Sequence, residues 1–252
     1  MERDRIRSEG WDTMQLDQTA AIGPQLHALL RDRVVRNDLQ PGTRISESEI
    51  AREYSISRQP VREAFIKLAE ENLIEIRPQR STIVCKIDCA AVLDIRFVRE
   101  AIEADIVRLL AKDPDQHLIA KLRSIVSEQR AIATHSPGDF IVSDEAFHEA
   151  LATGAGKSSV WKIVLSLKSQ MDRVRYLSFE MFPLQRLIDQ HVTIIDAIEA
   201  GDVSAADHAI RRHLREVLSD LPEIMKANPE AFTTPMTDQP KGETSHIQRR
   251  TP

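Results

Sequence analysis

Residues 46–84, SESEIAREYSISRQPVREAFIKLAEENLIEIRPQRSTIV, hold the local signals that decide the fold of the N-terminal part of the chain. Ser46, followed three residues later by Glu49, forms a capping box that predicts the start of a short helix. Ser57 can cap a second helix, because its hydroxyl can accept a backbone N–H of the first turn. Asn72 tolerates the left-handed conformation that ends a helix. The stretch therefore predicts two helices in succession.

The helix that begins after Ser57 has an apolar side and a basic side. Its apolar stripe, at helical spacing, consists of Val61, Ala64, Phe65 and Leu68. Arg58 and Arg62 are four positions apart, so they share a different face, where the positive end of the helix dipole adds to their charge. Such arginines can fork onto guanine edges or phosphate, or they can be solvated and paired with Glu63 or its neighbours.

A further helix precedes this stretch, and two β-like runs end it. Residues 22–39 repeat leucine and valine at helical spacing, and the tripeptide at 40–42 then ends the helix. The β-like runs are residues 73–77 and 82–87, joined by a polar turn. Three helices and a two-stranded wing predict a winged helix-turn-helix domain over residues 20–87.

Charge is unevenly distributed along the chain. Residues 24–86 contain 11 basic and 9 acidic side chains, whereas the whole chain of 252 residues has a net charge of −5. A mildly basic N-terminal module on an acidic body is compatible with nucleic-acid binding. No apolar run approaches the roughly 18 residues of a membrane-spanning helix, and the N-terminus lacks the apolar core of a secretory signal. We therefore expect a cytoplasmic protein without a membrane partner.

After residue 87 the pattern changes to long helical segments. These segments are residues 92–110, 116–134, 139–153, 158–181, 184–200 and 203–225. They predict an all-α bundle of about six helices over residues 88–226, which makes the fold class mainly α. Residues 1–19 are expected to be a flexible N-terminus, and residues 227–252 a disordered tail because they contain few apolar side chains.

Four polar side chains of the predicted bundle suggest a common site. Asp144 and His148 are one helical turn apart, while His191 and His213 lie on or beside apolar faces of two other predicted helices. A carboxylate with three imidazoles is a suitable set of ligands for Zn²⁺, Ni²⁺ or Mn²⁺. Spacing alone leaves a metal site and buried polar packing equally open.

The N-terminal module resembles the DNA-binding domain of the GntR family of bacterial transcription regulators. The residues that carry the resemblance are Pro41-Gly42, Ser46-Glu47, Ile50-Ala51, Ser57-Arg58, Pro60-Val61-Arg62-Glu63-Ala64 and Leu68. The resemblance implies that the module binds double-stranded operator DNA, with candidate contacts at Ser48, Ser57, Arg58, Gln59, Arg62 and Arg80. The family usually has glycine in the wing turn, where this chain has Ser81.

The C-terminal body resembles the FCD ligand-binding domain. The matching segments are FVREAIEADIVRLLA at 97–111, SDEAFHEALATGAG at 143–156 and QHVTIIDAIEAGDVSAADHAIRRHL at 190–214. The resemblance implies a divalent metal, zinc with nickel or manganese as alternatives, held by Asp144, His148, His191 and His213. A carboxylate effector can fill the open positions of such a metal. Its candidate contacts, each of which can instead form a surface salt bridge, are Arg99, Lys157, Arg173 and Arg175.

These features predict a ligand-responsive transcription regulator, a repressor that binds an inverted-repeat operator as a homodimer. The segment HLREVLSDLPEI at 213–224 is similar to members that regulate sugar-acid use, so the expected effector is a small organic acid of that class. Two alternatives are a regulator that senses the metal itself and a metal-dependent hydrolase. A hydrolase needs a base near a metal-bound water, and Glu145 points about 100° away from Asp144 on a helix.

Overall fold

A computed structural model describes residues 16–77, 81–135, 137–179 and 181–233, without the side chains of residues 134–138. Within these ranges the chain forms ten α-helices, one short 3₁₀ helix and three short strands. The predicted mainly α fold class, with a winged helix-turn-helix followed by a helical bundle, is confirmed. Among the described residues, none of the helices combines the length and the apolar composition that crossing a bilayer requires.

The N-terminal domain combines three helices with a small antiparallel sheet. Its elements in chain order are α1 (Ile22–Val35), β1 (Arg44–Ile45), α2 (Glu47–Glu53), α3 (Arg58–Glu70), β2 (Ile74–Glu75) and β3 (Thr82–Val84). At the start of α2 the backbone N–H of Glu49 donates to Ser46 Oγ at 3.2 Å, as the capping box predicts. Asn72 has φ = 55°, which is the left-handed conformation expected after α3.

The predicted apolar stripe of α3 faces the core of this domain. Its members are at most 1% exposed: Val61, Ala64, Phe65 and Leu68. They pack with the buried leucines of α1, since α1 and α3 lie against each other. The stripe leaves the start of α3 on the surface, because Arg58 and Arg62 project from a different side of the helix.

The sheet has three strands among the described residues, in the order β1-β3-β2, rather than the two of the predicted wing. Ile45 of β1 lies opposite Thr82, and Ile74 of β2 lies opposite Val84. The extra strand escaped prediction because two residues are too few to show the alternation of a strand. The wing turn with Arg80 lies outside the described residues.

The C-terminal domain is built from seven helices in the part of the chain that is described. They are α4 (Cys89–Lys112), α5 (Gln116–His135), α6 (Pro137–Gly154), α7 (Ser158–Leu167), α8 (Ser169–Ser178), α9 (Gln185–Glu199) and α10 (Val203–Ala227). The single helix predicted over residues 158–181 is divided at Lys168 into α7 and α8. Lys168 Nζ lies 2.8 Å from Glu145 Oε2 and 2.5 Å from Asp172 Oδ2, so the buried Lys168 forms two ion pairs at the break.

Helix α8 lies between the two domains, where it contacts α1 on one side and α4, α6 and α10 on the other. Among the described residues, four hydrogen bonds join it to the N-terminal domain. Arg31 Nη2 donates to Ser169 Oγ at 2.9 Å, and Gln170 Nε2 donates to Asn72 O at 3.1 Å. Arg173 Nη2 donates to Cys85 O at 2.9 Å, and Asn37 Nδ2 donates to Arg173 O at 3.2 Å. The N-terminal domain is therefore held by a helix of the bundle.

The C-terminal segment remains packed beyond the predicted boundary at residue 226. A short 3₁₀ helix at Pro229–Ala231 is followed by Phe232, which is 3% exposed and forms a parallel bridge with Ile87. The prediction of a disordered tail from residue 227 is therefore wrong for residues 227–233. The composition of the segment did not indicate this contact, because a mostly polar segment can be held in place by one buried ring. The predicted flexible N-terminus and the rest of the tail lie outside the described residues, apart from residues 16–19.

Replacing Phe232 with alanine is expected to lower the free energy of unfolding by about 3 kcal/mol, because a buried ring is lost and a cavity remains. Chemical denaturation measures this change. Glu230→Ala is the control, since the Glu230 side chain is 97% exposed and should contribute little. Equal stabilities of the two variants would contradict the packing of Phe232.

Candidate functional site

Asp144, His148, His191 and His213 come together in the interior of the C-terminal domain. Helix α6 supplies the first two, α9 supplies His191, and α10 supplies His213. All four are buried, and one ligand atom from each lies within 4.8 Å of the others. The four residues named from the sequence therefore form a single cluster.

The distances inside this cluster match those of atoms that share one metal ion. His213 Nε2 lies 3.2 Å from His148 Nε2 and 3.3 Å from His191 Nε2. Asp144 Oδ1 lies 3.5 Å from His191 Nε2. Two nitrogens bound at about 2.0–2.1 Å to the same ion are roughly 2.8–3.4 Å apart for octahedral to tetrahedral angles. The spacing therefore fits one divalent ion.

A glutamine from α5 fixes the proton position on His191. Gln129 Nε2 donates to Ser143 O at 3.1 Å, so Gln129 Oε1 is the acceptor that faces His191 Nδ1 at 2.8 Å. His191 must therefore carry its proton on Nδ1. Its Nε2 lone pair then points into the cluster.

His213 is fixed in the same way by the glutamine that precedes His191. Gln190 Nε2 donates to Glu216 Oε2 at 2.6 Å, which leaves Gln190 Oε1 to accept from His213 Nδ1 at 2.9 Å. Here too the proton belongs on Nδ1. The Nε2 atom of His213 therefore also presents a lone pair to the cluster.

The third histidine meets a carboxylate instead of an amide. His148 Nδ1 lies 2.5 Å from Glu103 Oε2, and Arg99 Nε donates to Glu103 Oε1 at 2.6 Å. Burial alone would raise the pKa of Glu103, but Arg99 and His148 outweigh it and lower this pKa to about 2. Because an ionised carboxylate can only accept, this close contact favours a proton on His148 Nδ1. Three unprotonated Nε2 atoms thus face one another at short range, an arrangement that a cation stabilises.

The charge states of His191, His213 and Asp144 are also those of metal ligands. Burial lowers the pKa of His191 to about 3 and holds the pKa of His213 well below its usual value. Burial would raise the pKa of Asp144, but Arg175 and His148 offset this and hold it well below its usual range. Neutral imidazoles and an ionised carboxylate are the forms that bind divalent metals.

A cavity of about 50 Å³ adjoins the cluster and is lined by two of the four candidate effector-binding cations, Arg99 and Arg175. Arg175 donates to both carboxylate oxygens of Asp144, at 2.5 and 2.7 Å. Arg99 is connected to the cluster through Glu103, to which it donates a hydrogen bond. The cavity therefore has two guanidinium groups beside the four donors, and the carboxylates of Glu216 and Asp220 line it as well.

Arg173 and Lys157, the other two candidates, lie elsewhere. Arg173 is fully buried at the joint between the domains, where burial lowers its pKa to about 10 and Cys85 O accepts its hydrogen bond. Lys157 is exposed at the start of α7 and does not line the cavity. Arg175 and Arg173 face different surroundings, because two positions along a helix separate side chains by about 200°.

Three polar residues of the site escaped the sequence analysis: Glu103, Gln129 and Gln190. Gln190 could have been suspected from its position beside His191. The other two stand in ordinary amphipathic helices, and only the packing of α4 and α5 against α6 and α9 brings them to the histidines.

The second candidate surface lies at the start of α3. Arg58 and Arg62 are exposed there, and Ser48, Ser57 and Gln59 are exposed nearby. The carboxylate expected to pair with the arginines was Glu63 or a neighbour. In the structure Glu47 of α2 contacts both arginines, while Glu63 accepts from Gln59 Nε2 at 3.0 Å. Five of the six predicted DNA contacts are thus exposed, and Arg80 lies outside the described residues.

Comparison with known proteins identifies the family. The HTH-type transcriptional repressor RspR of Escherichia coli (strain K12) is 38% identical over 221 residues, which cover 87% of this chain and 97% of that protein. The chain belongs to the GntR family. The model of the gntR family of bacterial regulatory proteins matches residues 24–84, and the FCD domain model matches residues 94–216. This GntR protein is therefore a transcription regulator and not an enzyme, which removes the hydrolase alternative.

Other members of the GntR family are similar over most of the chain. The gluconate operon transcriptional repressor of Bacillus subtilis (strain 168) is 26% identical over 212 residues, covering 81% of this chain and 87% of that protein. Among solved structures, Escherichia coli McbR/YncC has a TM-score of 0.68 at 18% identity and covers 81% of this chain and 98% of its own. The last likeness shows a shared fold.

Replacing Gln129 with leucine is expected to weaken metal binding about 10- to 100-fold, because His191 would lose the acceptor that fixes its proton and ring orientation. Competition with a metal-binding dye measures the affinity. Gln185→Leu, on the exposed start of α9, is the matched control. A Gln129→Leu protein that is folded and binds metal as tightly as the control would contradict the role of Gln129.

Proposed function

We propose that this GntR regulator is a homodimeric repressor whose operator affinity responds to a small organic acid bound at a metal in the C-terminal domain. One observation carries the proposal. Three histidines with their Nε2 lone pairs turned inward meet an ionised aspartate beside a cavity with two arginines. The donor set suits zinc, with nickel or manganese as alternatives.

The DNA-binding part of the proposal rests on the exposed edge at the start of α3. Arg58 and Arg62 can donate to guanine edges or phosphates, and Gln59, Ser57 and Ser48 can add polar contacts. A homodimer is proposed because paired winged helices with two-fold symmetry fit an inverted-repeat operator. This assignment places the regulator in the cytoplasm with DNA as its macromolecular partner.

Arg99 and Arg175 are the residues that we assign to the effector. A bound divalent metal would supply open coordination positions for a carboxylate, and the two arginines would hold the remaining negative charge. Both guanidinium groups are engaged by the internal carboxylates Glu103 and Asp144. The cavity of about 50 Å³ has room for only a few water molecules. Effector entry therefore requires the cavity to widen and Arg175 to share or release Asp144.

Helix α8 provides the route from the cavity to the DNA-binding domain. Met171 and Arg175 line the cavity, whereas Ser169, Gln170 and Arg173 bond to the N-terminal domain. A shift of α8 that accommodates the effector must therefore also move or strain the contacts with the winged helix. Coupling of this kind requires that the effector bind the two arrangements with different affinity.

The proposed effector class follows from charge and from relatives. A metal with two arginines favours an anion with more than one oxygen ligand, such as a sugar acid or a hydroxy acid. The name of the Bacillus subtilis relative, a gluconate operon repressor, supports the sugar-acid choice. The second candidate is a regulator that senses the metal itself. It is favoured by the direct contact of Arg175 with Asp144, since metal binding alone would perturb that pair.

Arg62→Ala is expected to reduce operator affinity at least about tenfold, because a forked donor to a base or phosphate is lost. Gel-shift titration with a duplex recovered by selection from a random pool measures it. Arg212→Ala removes the same charge from the exposed side of α10 and should leave affinity unchanged. Equal affinities for the two variants would reject α3 as the recognition helix.

Metal analysis coupled to a thermal-shift screen tests the C-terminal site. We expect about one divalent ion per chain, and a sugar acid that raises the melting temperature only without chelator. His191→Ala should lose both effects, whereas His208→Ala, on an exposed position of α10, should retain them. If the acid raises the melting temperature of the protein in the presence of chelator, the metal-centred effector site is rejected. Operator affinity that follows metal concentration with no acid present would favour the metal sensor.

A further inference from the structure

The two arginines at the start of α3 share a single carboxylate. Arg62 donates to Glu47 through Nε at 3.1 Å and through Nη2 at 3.2 Å, and Arg58 Nη2 donates to the same carboxylate at 3.0 Å. The Glu47 side chain is 23% exposed, whereas both arginines are more than half exposed. Glu47 thus lies beneath the guanidinium groups and not beside them on the outer surface.

This carboxylate is charged at neutral pH. Hydrogen bonding from Arg62, joined by Arg58, lowers the pKa of Glu47 below its usual value. The three side chains together therefore carry one net positive charge instead of two. Attraction to DNA phosphates depends on that net charge, whatever the base sequence.

The contacts also set the orientation of the arginines. Arg62 uses its Nε side for Glu47, and Arg58 uses one terminal nitrogen. In the described part of the chain, Nη1 of each arginine makes no hydrogen bond and is left for an outside acceptor, and the flexible stem is held in place before DNA arrives. A guanine edge needs donors in a fixed direction, which this orientation of the arginines provides. Because the guanine edge carries no net charge, its binding depends little on the positive charge that Glu47 neutralises.

We propose that Glu47 is a positioning residue that raises the sequence specificity of this regulator. It orients Arg58 and Arg62 for base edges and withholds one positive charge from phosphates. The inference rests on the proposed function of α3 as the recognition helix. It makes Glu47 a determinant of DNA selection although its own negative charge would disfavour a direct DNA contact.

Glu47→Gln in the full-length chain tests this inference. Glutamine has the same shape and keeps an acceptor oxygen, so the fold should be retained. We expect the ratio of affinities for the selected duplex and for a random duplex of equal length to fall about tenfold. Affinity for the random duplex should rise, and its dependence on log salt should steepen by about one unit for each protomer.

Glu53→Gln is the matched control. Glu53 is on the same helix and pairs with Arg33 through a 2.6 Å contact, away from the recognition helix. The Glu53→Gln substitution removes the same charge and one arginine partner. It should leave the ratio of affinities for the selected and the random duplex unchanged. A similar loss of the ratio in both variants would overturn the role of Glu47, because general charge would then explain it.

Two other outcomes would also overturn the inference. If Glu47→Gln raises affinity equally for the selected and the random duplex, Glu47 is a simple competitor for the arginines. If the ratio of the two affinities is unchanged and the melting temperature falls, Glu47 is a structural residue of α2.

The Arg62→Ala result separates these two outcomes from failure of the proposed function. If Arg62→Ala abolishes operator binding and Glu47→Gln leaves the ratio intact, only the inference about Glu47 falls.

Discussion

Burial of four polar donors in the C-terminal domain constrains most of what surrounds them. A nitrogen or oxygen removed from water is costly unless it meets a partner. Each histidine of the cluster therefore needs an acceptor behind it as well as the site in front of it. Glu103, Gln129 and Gln190 supply these acceptors from α4, α5 and α9. Their own remaining polar atoms are met in turn by Arg99, the backbone of α6 and Glu216.

This network adds directional contacts to the apolar packing of the domain. Apolar contacts tolerate small rotations of one helix against another, whereas hydrogen bonds to the Nδ1 atoms of buried imidazoles have a fixed direction. Helices α4, α5, α6, α9 and α10 are thereby fixed relative to one another around a common point. Helix α8 is attached to the same point by Arg175, and to the N-terminal domain by residues of its other side. The cluster and the winged helix are thus connected through α8.

The sequence predicted the features that depend on local spacing. The Ser46 cap, the buried stripe of α3 and the left-handed Asn72 each follow from a few neighbouring residues. The four polar donors were also recognisable, because each sits at a helical position next to apolar neighbours. Their convergence was supported by the resemblance to the FCD domain and is seen in the fold.

Features that arise from contacts across the bundle were missed. The break at Lys168 contains no glycine or proline; instead Lys168 pairs there with Glu145 and Asp172. Of the two candidate arginines of α8, Arg175 lines the cavity and Arg173 lies at the joint between the domains. Gln129 supports His191 from 62 positions away. Nothing in the spacing of two such residues indicates that they touch.

The bridge between Ile87 and Phe232 gives the molecule an internal reporter position. Thr233 N–H donates to Ile87 O at 3.0 Å, so Thr233 lies against the segment that joins the two domains. A fluorophore attached at residue 233 would therefore lie beside the segment that joins the two domains. It would also be far along the sequence from the recognition helix. Its anisotropy would follow rearrangement of the joint in real time, without any label on the DNA or on the effector.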